Sequence, residues 1–572
     1  MKKLIALLVG GVVLFGSLSP LSAAGLPDEQ WTPATSPQGN GWRSLFIADG
    51  STLNREPSLL YADSASSNGQ PTFSYHCESV DSPKCVELTR IYSAAFLQPC
   101  TTFINTNCIE GFYGIDSSGK RINGEAPYEY PANAQWSYPG NNAINLPTGG
   151  SPTIWNLPGA THAGGGSLYI VQAFTVGNLI KAPNKQVTNE RFLLDRIFVN
   201  LVPVKIVNGR YVRQKAQDST ETMNGSMRGV RHDSQDEWRA CAALDNGSCA
   251  QRQAFPEGFK FGVTVRLQDK LTGWLHGRIY NPDVSITTNM FGEQIIDVSA
   301  SPVRVPVVGE WHRWEELTTD IQKYILDGKV QGGQGWHESK ALASGNFQEM
   351  TATSGANAFE ALSLWIPQIK DKASASPSTW TFNSLPMWEL QDANACIRNS
   401  TDLVGFVTTN AAVYSAGPPA YNKELESLDY KVIAPHYTAS GEVFKGTYDL
   451  RIRASVARCI YGFTNAPIQA SISIIGEDGS AQVATQTINE VDGWLSLSAN
   501  GFTYSSPTIS VKLRQEAPVV APTPTPSETP TAVPTATPPP KKRTIKCIMG
   551  KKVRTVSALT PKCPAGYRKQ GA

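Results

Sequence analysis

The chain has 572 residues, of which 17% are charged and 41% hydrophobic, and its formal charge is +2 at pH 7. This composition supplies ordinary apolar cores and excludes a disordered chain. Its 48 Gly and 39 Pro, with many Thr, Ser and Asn, favour turns and strands over long helices.

The start has three parts: Lys2 and Lys3, an apolar run from Leu4 to Phe15, and the small residues Ser22, Ala23 and Ala24. That is the pattern of a cleavable secretory signal peptide over residues 1–24, and its apolar run is too short for a membrane helix. No later stretch has the apolar length of a membrane span. The mature chain is therefore expected to be extracellular or held at the cell surface from outside. About 548 residues remain after cleavage, a length that predicts three or four domains.

Residues 25–230 read as a loop-rich β region. Up to about residue 155, short apolar runs are separated by Gly, Pro, Asn and Ser. Ser167 to Val176 and Arg191 to Val202 then read as buried strands. Val204 to Val207, Asn208-Gly209 and Arg210 to Val212 carry a hairpin signature, because Asn-Gly supplies the positive φ values of a type I′ turn. Residues 213–256 are polar and read as an excursion from the core.

Residues 231–395 read as a β domain with short helices. Alternate side chains of a strand face opposite ways. Phe259, Phe261, Val263, Val265 and Leu267 form one apolar face, and Lys260, Thr264 and Arg266 point away from it. After a loop at 268–273, Leu275 and Ile279 alternate with Trp274, His276, Arg278 and Tyr280. If these two strands pair, Lys260, Arg266, Trp274, His276, Arg278 and Tyr280 share one outward face. Rings stack on sugars, while Arg and Lys bond carboxylates, sulfates or phosphates, so this set is the candidate platform for a polar glycan. The competing reading is a face packed against another sheet, its long side chains covering apolar surface. Farther on, Leu317, Ile321 and Ile325 with Gly328 predict a short glycine-capped helix. Phe359, Leu362 and Trp365 predict a second helix that stops before Pro367.

Residues 396–516 read as a β-sandwich-like domain, with a hairpin of Ser471 to Ile475 and Ala484 to Ile488 across Asp478-Gly479. The expected fold class is mainly β: tandem β-sandwich-like domains with minor helix and disulfide-stapled loops.

Ten cysteines occur, and three successive pairs share a spacing of seven intervening residues. In an exported chain an even count favours disulfides. Neighbour pairing is expected: Cys77 with Cys85, Cys100 with Cys108, Cys241 with Cys249, Cys396 with Cys459, and Cys547 with Cys563. Spacing alone does not fix the connectivity. No pair has the Cys-x2-Cys spacing of zinc sites and the seven His are scattered, so no metal is expected. No motif implies a cofactor.

Catalytic signatures are missing. There is no Gly-x-Ser-x-Gly elbow and no His-Glu-x-x-His. Gly164-Gly165-Gly166 lacks the Lys of a phosphate loop, and His162 beside it reads as an ordinary loop histidine. Glu310 adjoins Trp311, and Glu315 and Glu316 follow Trp314, but acids at a helix start are favoured by the dipole alone. No catalytic residue is assigned.

Residues 517–540 are a Pro/Thr-rich linker that favours polyproline II, about 70 Å long if fully extended. Residues 541–572 hold ten Lys or Arg and no acid, which leaves −8 on the rest of the precursor and −10 once Lys2 and Lys3 are gone. Such a split suggests a tethered basic tail with an anionic partner. Thr544-Ile545-Lys546-Cys547, Gly550-Lys551-Lys552 and Pro561-Lys562-Cys563-Pro564-Ala565-Gly566-Tyr567 resemble a short C-terminal module of uncharacterised secreted actinobacterial proteins. The resemblance implies a secreted bacterial protein and supplies no catalytic residues. Only Tyr567 interleaves the cations, so the expected partner is an anionic cell-wall polymer or glycan rather than nucleic acid. The leading expectation is a secreted or cell-surface binding or structural protein. The alternative is a secreted carbohydrate-active hydrolase whose acids come from separate loops.

Overall fold

The computed structural model describes residues 28–31, 35–47, 58–65, 71–88, 90–132, 137–180, 191–211, 240–329, 346–350, 356–464, 467–475, 481–482, 485–504, 508–515 and 542–571. The expected signal segment 1–24, the 213–239 part of the expected polar excursion, the expected turn at Asp478-Gly479 and the expected linker 517–540 lie outside these residues.

The described chain is mainly β. Period-two alternation explains the layering. In the strand Lys260–Leu267, Phe261, Val263, Val265 and Leu267 are fully buried. This strand is central in an antiparallel five-stranded sheet, between Gln294–Ser301 and Cys108–Ile115. The apolar face of that sheet packs on a much longer sheet. Val171, Val199, Leu201, Leu275, Trp380 and Phe382 meet it from the other side. Each such side chain stabilises the fold by roughly 1.5–3 kcal/mol through burial.

The long sheet runs Lys445–Arg453, Leu403–Thr409, Gly273–Arg278, Ser378–Leu385, Leu193–Asn208, Leu168–Ile180, Arg90–Phe96. Strands from 25–230, 231–395 and 396–516 thus share one sheet. Its strand Gly273–Arg278 is buried on both faces. Leu275 enters the core just described, and Trp274 enters a second one. There Val407, Leu450 and Leu497 meet Tyr430, Ile474 and Val511 of a six-stranded sheet, with Ile321, Leu362 and Trp365 from two helices. Two sandwiches are therefore built on opposite faces of one sheet.

Several local expectations change. Asn208-Gly209 does not make a tight hairpin: neither residue has a positive φ. Leu193–Asn208 instead pairs Val204 to Asn208 with the distant strand Ser248–Arg252. Ile468–Ile475 pairs briefly with the short Ala481–Gln482, and its main partner is Thr508–Gln515. Thr485–Val491 crosses to the long sheet and pairs with Trp494–Thr503. The helix Ala356–Gln368 includes Pro367 and ends just past it, where Lys370 and Asp371 have left-handed φ values of 55° and 56°. Pro367 has no N–H for the Ser363 carbonyl and its ring crowds that carbonyl, so the helix tolerates it only where the ladder ends, one residue later. The other helix, Thr319–Leu326, is capped by the Thr318 hydroxyl, which accepts from Ile321 N–H at 3.3 Å, and Gly328 follows at φ 71°.

All ten cysteines are paired, as Cys77–Cys85, Cys100–Cys108, Cys241–Cys249, Cys396–Cys459 and Cys547–Cys563. By contacts the chain divides into two units, Met1–Glu516 and Ala517–Ala572. The second is a three-stranded antiparallel sheet, ordered Lys552–Ala558, Arg543–Met549, Arg568–Lys569, with Cys547 buried at its centre. No described helix is long and apolar enough to cross a membrane.

Candidate functional site

The six residues predicted to share one face do not. Lys260–Leu267 and Gly273–Arg278 lie in different sheets, facing each other across the first core. The alternation is as expected, but the loop between them crosses the sandwich instead of turning within a sheet. Lys260 and Arg266 therefore point out of one sheet, while Trp274, His276 and Arg278 point the opposite way, toward the second core.

Four of these residues, Arg278, His276, Trp274 and Arg266, have structural tasks. Arg278 is buried: its guanidinium donates to the Thr409 carbonyl at 3.3 Å, the Ala412 carbonyl at 2.9 Å and the Ala411 carbonyl, and sits 4.1 Å from the Tyr414 ring centroid. His276 Nδ1 lies 2.6 Å from the Tyr414 hydroxyl. Burial, with Arg278 and Arg196 nearby, pushes the His276 imidazole down to about 3, so the ring is neutral. Trp274 is fully buried and covers Gly405, where no Cβ would fit. Arg266 Nε donates to Glu110 at 3.0 Å, and its Nη1 donates to the carbonyls of Phe103 and Asn105 at 3.0 and 3.1 Å. It clamps the loop closed by Cys100–Cys108. Tyr280 opens the strand Tyr280–Thr288, partly buried, its phenol pushed up by burial and by Asp449.

The other candidates are structural too. Glu316 accepts from the Arg313 N–H at 2.8 Å, a capping contact, and Glu310 is 3.7 Å from His312. His162 is buried, accepts from the Gly164 N–H at 3.1 Å, and is pushed down to about 4 by burial. No group of three His, Cys, Asp or Glu among the described residues is placed to hold a metal ion.

Only Lys260 of the six lines a large cleft, of about 930 Å³. One wall is the end of the five-stranded sheet: the turn at 115–119, the loop Pro256 to Phe259, and Asp283. The opposite wall is Val303, Arg304 and Ser378 of the long sheet, with Asp28 and Glu29; Ser440 and Glu442 also line it. The segment 28–31 is tied to the sheet edge. The Asp28 carbonyl accepts from Ser376 N–H at 2.8 Å, and the Glu29 carboxylate accepts from Ser378 N–H at 3.0 and 3.1 Å. Burial pushes the Glu29 carboxyl up to about 6, against the opposing pull of the Ser378 hydrogen bonds and Arg304. Asp116 instead is held below the usual range by the Ser118 hydroxyl and the Lys120 and Ser118 N–H groups.

Sequence reasoning missed this cleft. Its acids come from five separate segments, and no spacing links residue 29 to residue 442. The one available signal was proximity: Glu257 immediately precedes the strand singled out for its alternation.

The second unit carries a different surface. Lys542, Arg543, Lys546, Lys551, Lys552, Arg554, Lys562, Arg568 and Lys569 are all exposed, with no acid between them. Strand pairing sets Lys552 opposite Met549, and both Arg554 and Lys569 opposite Cys547, so cations flank the disulfide. Compared with models of protein families, with curated proteins and with solved structures, the chain matches none.

Proposed function

We propose that this is an exported protein held at the cell surface through its basic C-terminal unit, which associates with an anionic wall polymer or glycan. The observation that carries the reading is the nine exposed cations, without a compensating acid, on a small disulfide-closed sheet. The cations are spread over all three strands, with Arg543 and Lys546, Lys552 and Arg554, and Arg568 and Lys569, which suits a polymer with many weak contacts. Five disulfides with no free cysteine support an oxidising destination. The body is a scaffold of stacked sheets.

Salt tests this directly. The mature chain should be retained on anionic wall fragments in dilute buffer. It should be released toward 1 M salt, where the screening length falls to about 3 Å. A chain lacking residues 541–572 should not be retained at all. Retention that ignores both salt and the deletion contradicts the proposal.

A further inference from the structure

The large cleft of the body is lined mainly by acids, opposite in charge to the basic unit. Six carboxylates line it, from Asp28, Glu29, Asp116, Glu257, Asp283 and Glu442, against two cations, Lys260 and Arg304. Both cations are already engaged. Lys260 Nζ is 3.5 Å from Asp283, and Arg304 Nε donates to the Ser376 carbonyl at 2.9 Å. Glu257 and Glu442 are exposed and have no cationic partner among the described residues. Low-dielectric walls concentrate such a field inside a cleft, so anions are repelled and cations drawn in.

The carboxylates are also spread out. They come from separate segments and, among the described residues, no three acids, His or Cys gather to hold a metal ion. A single point charge would be poorly matched; several charges along a skeleton would be well matched. Between the acids lie Pro256, Phe259, Pro302 and Val303, an apolar wall for methylenes or ring faces. The volume, about 930 Å³, is at the upper end for a small-molecule site and suits an elongated guest. We propose that this cleft binds an oligoamine, with ammonium groups spaced along it to meet Glu257, Glu442 and the Asp28–Glu29 strap. The same chemistry is offered by a free polyamine and by an oligomer of amino sugar.

The inference is independent of the tail's role, because its ligand has the opposite charge. The test is calorimetric titration of the full mature, disulfide-intact chain. The probes are spermine and a glucosamine tetramer, each beside its fully N-acetylated counterpart, which has the same skeleton without the charge. At least one amine should bind, its acetylated form should not, and added salt should weaken binding. The tighter of the two amines identifies the source. The double variant E257Q/E442Q, whose positions are exposed, should melt like wild type and bind about tenfold more weakly. The proposal is overturned if neither amine binds, if acetylation makes no difference, or if the folded double variant binds like wild type.

Discussion

Glu29 carries a cost that depends on pH. Its carboxyl is pushed up to about 6 from 4.5 by burial against the long sheet. The folded state therefore holds this proton at pH values where the unfolded chain has released it. Glu29's contribution to stability is most favourable below pH 4.5 and is lost as pH rises through about 6. Glu29→Gln removes the titration. Between pH 4.5 and pH 7.5, the difference in unfolding free energy should move toward the variant by about 1–2 kcal/mol, measured in urea at both pH values. A difference that does not change with pH means that the charge is not confined as described. At the same scale, Trp274 and Arg278 show why a chemical profile is not a site. Trp, His and Arg suit a glycan platform, but here they fill and cross-link a core.

Among the elements, the disulfides differ in what they constrain. Cys396–Cys459 joins the short helix Ala395–Arg398 to the helix Ala454–Tyr461, across 63 residues. Cys77–Cys85 spans only eight. Loop-closure entropy grows with the logarithm of length. The pair C396S/C459S should therefore lower the unfolding free energy by about 4 kcal/mol, and C77S/C85S by about 2.5 kcal/mol. Denaturant midpoints of the two double variants read this order; the reverse order would show that local geometry, not chain entropy, sets their worth. Strand pairing has its own lesson. Lys260–Leu267 and Gly273–Arg278 both alternate cleanly, yet a hairpin and a crossing between sheets leave the same alternation in the sequence.

For the whole molecule, the oxidation state of the cysteines is a single checkable property. Every cysteine is bonded, so the chain purified without reductant and then denatured should show no thiol by colorimetric assay, and ten after reduction. A free thiol in the unreduced chain would contradict the five pairings. The molecule also separates its charges. The basic cluster belongs to one unit of the chain and the acidic cleft to the other.

Period-two alternation records burial directly, so the inward side chains are legible without any fold: Phe261, Val263, Val265 and Leu267 are core in any pairing. The even cysteine count likewise favours disulfides while leaving their partners open, and the run of cations marks the basic tail, since charge is additive along a chain. Which strands are neighbours, and with them the cleft, follows from the folded arrangement. Asp28, Glu29, Glu257 and Glu442 acquire a shared field only when distant segments close on one another. Coulomb and burial energies depend on distance in space, which no local pattern of residues encodes.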